Sequence, residues 1–568
     1  MYIQYCTSKQ NGKSYTYPLL CRKYRQDGKI KTEVIANLTK FPSEVVLAIS
    51  GALKKGKEIL VSLKDILITK SIDYGFVFVL LVIMDRLRIT EVLEKTLGEQ
   101  AKFVRLMIIG KIVTRGSKLC VFNWIKRNEA IAKKLDIDLN TLKVGTLYET
   151  LGDLSNVQSK IEQKWNVYHK EEIDEIYLYD ITSSYFEGTQ NDLSEFGYNR
   201  DGKQGKMQIV IGLITNKDGL PLSIEVFEGN KNDHSTIISQ LQKIKHTYKA
   251  NKILFVGDRG MRIRYNLDLM EEQEKQGIEY ITALNLDEIR TLIKEDTLQL
   301  NLFSKDLAEV ETEGVRYVLC TNPELEKEHS KTRNSLKERF EEALCDIKLS
   351  FDNRLAKNKA NLKRIEQGDK NKKLVTQFSE KQVDSYKYRV RKAIEKYHMQ
   401  SFYTSHISEQ ELTVDFNFDA FAKAKQLDGK YVIVSNVKKE KISKEGIREQ
   451  YKNLKHVEHA FRDMKTAQLD IRPIYHVNED TTRGHVFVTM FAYAIIRELE
   501  HYIFPWLKQS NKNNKEQLSL QDIEEELKMI KLNILQIKNQ QEIKITALTD
   551  RQKEIFKVLN INHQLIAV

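Results

Sequence analysis

Apolar and polar positions change period repeatedly along the chain. Residues 1–41 alternate: YIQYCTS and SYTYPLLCRKYR read as strands parted by the turn Gln10-Asn11-Gly12-Lys13, and a second turn at Gln26-Asp27-Gly28 leads into KIKTEVIANL. That pattern predicts a β-meander. Pro42-Ser43-Glu44 opens a helix, and helical spacing then dominates to about residue 170, through FVFVLLVIMDRL, FVRLMIIGKIV and LYETLGDLSNVQSKIEQKW. The longest apolar run, Phe76 to Met84, falls far short of the roughly 20 residues that span a bilayer and is expected to be a buried helix. From 173 the alternation returns in IYLYDITSSYFEG, MQIVIGLITN and, after Lys217-Asp218-Gly219, LPLSIEVFEGN. The helical stretch DHSTIISQLQKIKHTYK precedes another strand, KILFVGDRG, which is followed by NLDLMEEQEKQG, a helix, and IEYITALN, a strand.

Three strands, a crossover helix and a fourth strand predict a mixed sheet of the ribonuclease H type, with the first and fourth strands side by side. Residues 286–430 interrupt it. There Phe340, Leu344, Ile347, Phe351, Leu362 and Ile365 recur at heptad-like spacing, which predicts a helical hairpin with its tip near Gly368-Asp369-Lys370-Asn371. The sheet resumes at KYVIVSNV. Ser443 then caps a helix, KEGIREQYKNLKHVEHAFRDMK, before RPIYHV and the apolar helix TRGHVFVTMFAYAIIRELEHYIF. The expected class is mixed α+β. Its parts are a β-meander plus helix (1–62), an all-α region proposed to bind DNA (63–170), a ribonuclease H-like core in two parts (171–285 and 431–507), the insertion (286–430) and a helical tail (508–568).

Composition sharpens this in two places. The 568 residues carry a net charge of +12, and 321–400 holds 20 lysines and arginines against 13 acids, so the hairpin is the basic element. Such a balance favours a polyanionic partner. The five cysteines, Cys6, Cys21, Cys120, Cys320 and Cys345, show no metal-ligand spacing and read as reduced thiols of a cytosolic protein. The N-terminus has no apolar signal core.

The chemistry is carried by acids. Asp180 follows the apolar run Ile176-Tyr177-Leu178-Tyr179, and Asp258 follows Ile253 to Gly257, so each is expected where a buried strand ends. Glu458 lies on the later helix, where Tyr451, Glu458 and Lys465 at i, i+7 and i+14 nearly align, flanked by Lys455 and Arg462. Two carboxylates 4 Å apart repel by roughly 4 kcal/mol at an effective dielectric of 20, and bound hard cations remove that cost. Two such metals can activate water and stabilise the leaving oxygen of a phosphodiester. The basic loop Gly197 to Lys206, with Arg200 and Lys203, and Arg259 beside Asp258, are the expected lining of a DNA path. A haloacid-dehalogenase-type phosphatase would need a second Asp where Thr182 stands.

In combination, YDITSSYFEG, GYNRDGKQGKMQIVIGL, FEGNKNDHST, VGDRGM and YKNLKHVEHAFRDMK resemble the DDE transposases of the broad IS4 superfamily, and most closely the IS1634 group. The superfamily pattern of Tyr, two residues, Arg, three residues, Glu, six residues, Lys is matched by Tyr451, Glu458 and Lys465, and is not matched at Leu454, where Arg is expected. The resemblance implies a catalytic triad of Asp180, Asp258 and Glu458 that also binds two Mg²⁺ ions, with Mn²⁺ as a substitute. It implies action on the inverted-repeat ends of an insertion sequence and on target DNA, as a homodimer in the synaptic complex, with no membrane association. The implied setting is the bacterial cytoplasm, associated with the nucleoid. The alternative is a transposase-derived DNA-binding protein or repressor without catalytic activity.

Overall fold

The computed structural model describes residues 1–566 apart from 11–12, 56–65, 170–174, 189, 199, 251, 262, 305, 370, 372–373, 467–468, 473, 514–516 and 538–539. The turn expected at Asn11-Gly12, and Lys370 of the expected hairpin tip, lie outside the described residues. The chain forms two compact units, 1–83 with 499–568, and 84–498.

In the first unit the expected meander is present. Strands Tyr2–Gln10, Lys13–Gln26 and Lys29–Asn37 pair antiparallel in chain order. Asp27 and Gly28 both take positive φ at the second turn, as a tight turn between twisted strands requires. Two expectations are corrected here. The region 63–170 is not all-α, because Ile66–Asp73 is a strand. The tail is not purely helical either: Lys531–Ile537 and Gln540–Ile545 form a hairpin, and the first of them pairs with Ile66–Asp73. The alternation in KLNILQI is strand-like, and a polar count of the tail conceals it.

The second unit is built on a sheet of eight strands. They are β1 (Glu175–Tyr185), β2 (Gln208–Thr215), β3 (Pro221–Glu228), β4 (Ile253–Gly257), β5 (Ile278–Ala283), β6 (Leu307–Thr312), β7 (Val315–Thr321) and β8 (Lys430–Ser435). Their order is β6-β7-β8-β5-β4-β1-β2-β3. The pairs β1/β4 and β4/β5 are parallel and the others antiparallel. β1 and β4 are neighbours, as the crossover pattern predicts. Every described residue of β2 and β4 is buried, which is why both read as continuous apolar runs.

Helices cover the sheet. Trp165, on helix Val144–His169, donates to the Pro221 carbonyl at 2.8 Å and meets Phe491 edge-on. Residues 486–495 of helix Glu479–Asn513 are completely buried. Among the described residues no helix is long and apolar enough to cross a membrane.

The expected interruption of the sheet begins later than residue 286, because β6 and β7 belong to the sheet itself. The projecting element leaves at Asn322, which caps helix Pro323–Glu366, and returns at Gly429. Asn322 N donates to Gly429 O at 2.9 Å. Gly429 has φ 65°, and a Cβ there would stand 2.5 Å from the Asn322 carbonyl, so glycine is required where the two chain ends meet. The hairpin is unequal, 44 residues against the 17 of Glu380–Lys396. Phe340, Leu344, Ile347 and Phe351 pack with Phe378, Val383, Val390 and Ile394 as the spacing predicts. Leu362 and Ile365 do not join them and are exposed, because the shorter helix does not extend that far.

Candidate active site

Tyr179 on β1 and Gly257 on β4 are the last paired residues of these two strands. The next residue on each strand is an acid, Asp180 and Asp258, so the carboxylates stem from adjoining positions. One detail differs from expectation: Asp180 does not end its strand. β1 continues to Tyr185, paired as a strand with β2, with Asp180 opposite Leu213. Asp258 itself is exposed, and its carbonyl accepts from Thr282 Oγ1 at 3.2 Å.

Glu458 arrives from the other end of the sequence. The single helix expected from Ser443 onward is two, Lys444–Lys452 and Lys455–Lys465, with Ser443 capping the first as predicted. At the join, Leu454 N donates to Tyr451 O and Val457 N to Leu454 O, a tightening to three-residue spacing around a buried Leu454. Tyr451 and Glu458 are thus on consecutive helices, Tyr451 hydrogen-bonded to Asp258 and Glu458 within its electrostatic influence. Tyr451 Oη donates to Asp258 Oδ1 at 3.1 Å, and its ring stacks on Tyr431. Burial, then the Asp258 charge, hold the Tyr451 phenol well above its ordinary value, so it remains a donor.

The three acids feel one another. Burial pushes the Asp180 carboxyl up to about 7, with Asp258 and Glu458 adding to the rise and Arg200 opposing it. Glu458 is raised by partial burial and by Asp258, with Arg462 opposing. The three acids concentrate negative charge in one region, which a hard divalent cation would relieve; among the described residues the group whose ligand atoms all lie within 4.8 Å of one another is His459, Asp463 and Glu500. A group whose folded value is raised contributes stability that is fully present below its unfolded value, near 3.8, and is lost as pH rises through 7. The metal-free protein is therefore expected to lose on the order of 4 kcal/mol between pH 4 and 8. Asp180→Asn should flatten that slope, and added Mg²⁺ should restore stability at pH 8 to the wild type only. Urea titrations at each pH check this.

The predicted cations are placed unequally. Arg259, Lys455 and Arg462 are exposed. Arg200 bonds Asp233 at 2.6 Å, while its backbone N donates to Ser183 Oγ. Lys203 lies over the Tyr185 ring. Lys465 is largely buried and donates to Asp201 Oδ1 at 2.9 Å. Asp201 also pairs with Arg472 and accepts from Tyr185 N. Asp201, Asp233 and Arg472 are the residues that sequence reasoning missed. The first two sat inside quoted motifs, whereas Arg472 follows the helix and carried no spacing signal.

Leu454 is 8% exposed. Restoring the superfamily's Arg there would place a guanidinium within the packing. Leu454→Arg is expected to destabilise by about 1–3 kcal/mol, read as a lowered midpoint of unfolding.

Residues 172–495 match the family described as "Transposase DDE domain", and residues 3–59 match "IS1634 family transposase, N-terminal domain". No curated protein matches the chain. Among solved structures, one described as "Cryo-EM structure of piggyBac transposase synaptic complex with hairpin DNA (SNHP)" is similar at 7% identity and a TM-score of 0.31, over 80% of this chain and 70% of that chain.

Proposed function

Since the chain belongs to the DDE transposases, in the IS1634 group, we propose that it cuts DNA at the inverted-repeat ends of an insertion sequence and joins the freed 3′-hydroxyl to target DNA. The observation that carries this reading is the meeting of Asp180 and Asp258 at adjoining positions of parallel strands, with Glu458 in electrostatic range. The order β3-β2-β1-β4-β5 within the larger sheet supports a ribonuclease H-like core, and the 323–428 segment, two long helices with a two-stranded ribbon at Tyr403–Ile407 and Leu412–Phe416, its largely helical insertion.

Asp180, Asp258 and Glu458 would hold the divalent cations, Mg²⁺ with Mn²⁺ as substitute. Bound there, such ions activate an attacking oxygen and neutralise charge on a phosphodiester. The remaining work belongs to the chain. Tyr451 fixes one oxygen of Asp258 and leaves the other available. Arg259, Lys455 and Arg462 present exposed charge beside the acids and are proposed to meet DNA phosphates. Arg200, Lys203, Lys465 and Tyr451 border the same path, held in place by Asp233, Tyr185, Asp201 and Asp258. Positioning and fixed charge account for most of the barrier reduction in such transfers, and no covalent protein intermediate is required. A homodimer would bring two ends together.

The test is incubation of the purified protein with Mg²⁺ and a duplex bearing the element's terminal repeat. Nicks with 3′-hydroxyls at the repeat boundary are expected. Tight binding without cleavage in Mg²⁺ or Mn²⁺ would assign the protein to the repressor reading.

The arm gives a separate expectation. Its two ends meet at Asn322 and Gly429, so residues 323–428 can be replaced by a short Gly-Ser linker. If the arm tracks DNA backbone, that deletion should lower the salt dependence of DNA binding, log Kd against log salt, by several units of slope. An unchanged slope would make the arm a structural or dimer-forming element.

A further inference from the structure

A cavity of about 210 Å³ opens in the same unit, with Lys111, Lys118, Arg115, Arg472, His476 and His485 on its wall. Lys111 and Lys118 are each 3% exposed and His485 is 8% exposed. Lys118 Nζ stands 3.0 Å from His485 Nδ1, so the ammonium donates to a bare ring nitrogen. The imidazole proton is then on Nε2, toward the Ile471 carbonyl. Lys111 donates to the Asp470 carbonyl at 3.0 Å. An ammonium has three N–H groups, and these bonds occupy one on each lysine. Ser117, also on the wall, caps helix Lys118–Lys126 and accepts from Cys120 N, so the positive end of that helix dipole adds to the cavity.

Negative charge is scarce by comparison. Asp470 reaches the wall, and Asp201 is already shared between Arg472 and Lys465. Burial pushes Lys118 down to about 7, with repulsion from Lys111 adding to it, and Lys111 down to about 8. Burial and the same two lysines hold His476 and His485 below their ordinary value. A buried surplus of cations costs free energy unless an anion completes it. The space is below the roughly 300–1,000 Å³ of whole-ligand pockets, so it suits an anionic group and not an entire cofactor.

We propose that this cavity binds a phosphate group, and, resting on the transposase reading, that in the working complex this is a backbone phosphate of the transposon-end DNA. The connection to the active site supports the DNA source. Arg472 shares Asp201 with Lys465, and Asp201 accepts from Tyr185 N on β1, five residues beyond Asp180. Along a strand that is on the order of 17 Å, or about five base-pair rises of duplex DNA. A phosphate seated here anchors the duplex away from the cut and fixes its register on the acids.

Two arms test this on the full chain. In the first, thermal unfolding is followed in inorganic phosphate and in chloride at matched ionic strength and pH. Wild type should show a saturable rise in Tm with phosphate. Lys118→Met should unfold at a higher temperature than wild type without phosphate, because a buried, under-partnered cation is gone, and should lose the response. Lys111→Met serves if that variant does not fold. In the second arm, single neutral methylphosphonate links are scanned through the end DNA. One position should weaken wild-type binding by about tenfold and leave Lys118→Met unaffected. A phosphate response without such a position would overturn the DNA source and assign the site to a free phosphate-bearing molecule. Neither response would overturn the site altogether. The first arm uses no DNA and no cleavage, so its result is independent of the transposase reading.

Discussion

Asp180→Asn, Asp258→Asn and Glu458→Gln are each expected to lower end cleavage by on the order of 10³-fold or more, while folding and DNA binding persist. The amides match the acids in shape and lack the charge that holds a hard cation. Binding is expected to persist because the substitutions leave in place the exposed cations, among them Arg259, Lys455 and Arg462, that are proposed to meet DNA phosphates. If the acids act as one unit, the three losses should be similar in size and a double variant little worse than a single one. Their neighbours support that coupling: Asp258 and Glu458 both bear on the Asp180 carboxyl. Mn²⁺ should sustain the wild type without rescuing the Asp variants. Cleavage at matched DNA occupancy is the readout, and near-wild-type cleavage by any variant would remove that residue from the trio.

Arg316→Met is expected to destabilise the protein by about 3–5 kcal/mol and to impair cleavage as well. Arg316 is 1% exposed on β7. Its Nε donates to Glu309 Oε1 at 2.5 Å, and its Nη1 donates to the carbonyls of Val437 and Ile442, each at 2.8 Å. Those carbonyls belong to the loop joining β8 to helix Lys444–Lys452, the helix that delivers Tyr451 and leads to Glu458. Removing the guanidinium strands Glu309 and frees that loop. Arg316→Met with Glu309→Gln should recover part of the stability, since no buried charge is then left alone. Denaturant midpoints for the single and double variants measure the effect; a single variant as stable as wild type would show that the loop is held by other contacts.

The sequence carried most of what positions the acids. β2 and β4 are buried throughout, and their unbroken apolar runs announced them. The crossover between β3 and β4 then required the neighbouring strands that bring Asp180 beside Asp258. Ser443 as a cap and the hairpin spine from Phe340 to Phe351 were legible because each rests on local spacing. What escaped depends on distant partners. No local pattern shows that β4 stops beside the middle of β1, or that Ile66–Asp73 finds its partner in the C-terminal tail. Helical periodicity runs unbroken through Leu454, and the tightened turn shows only in the bonds from Leu454 N to Tyr451 O and from Val457 N to Leu454 O. Lys465 aligns with Glu458 by spacing, yet it is bonded to Asp201, more than 260 residues earlier.

The most direct measurement concerns contact between metal and scissile phosphate. A transposon-end duplex is prepared with sulfur replacing one non-bridging oxygen of that phosphate, as two separated diastereomers. Sulfur binds Mg²⁺ poorly and softer ions well. With wild-type protein, one diastereomer should be cleaved slowly in Mg²⁺ and regain much of its rate in Mn²⁺, and Asp180→Asn should show no such recovery. Equal rates for both diastereomers and the unmodified duplex in Mg²⁺, with chemistry rate-limiting, would contradict metal-assisted cleavage at Asp180, Asp258 and Glu458.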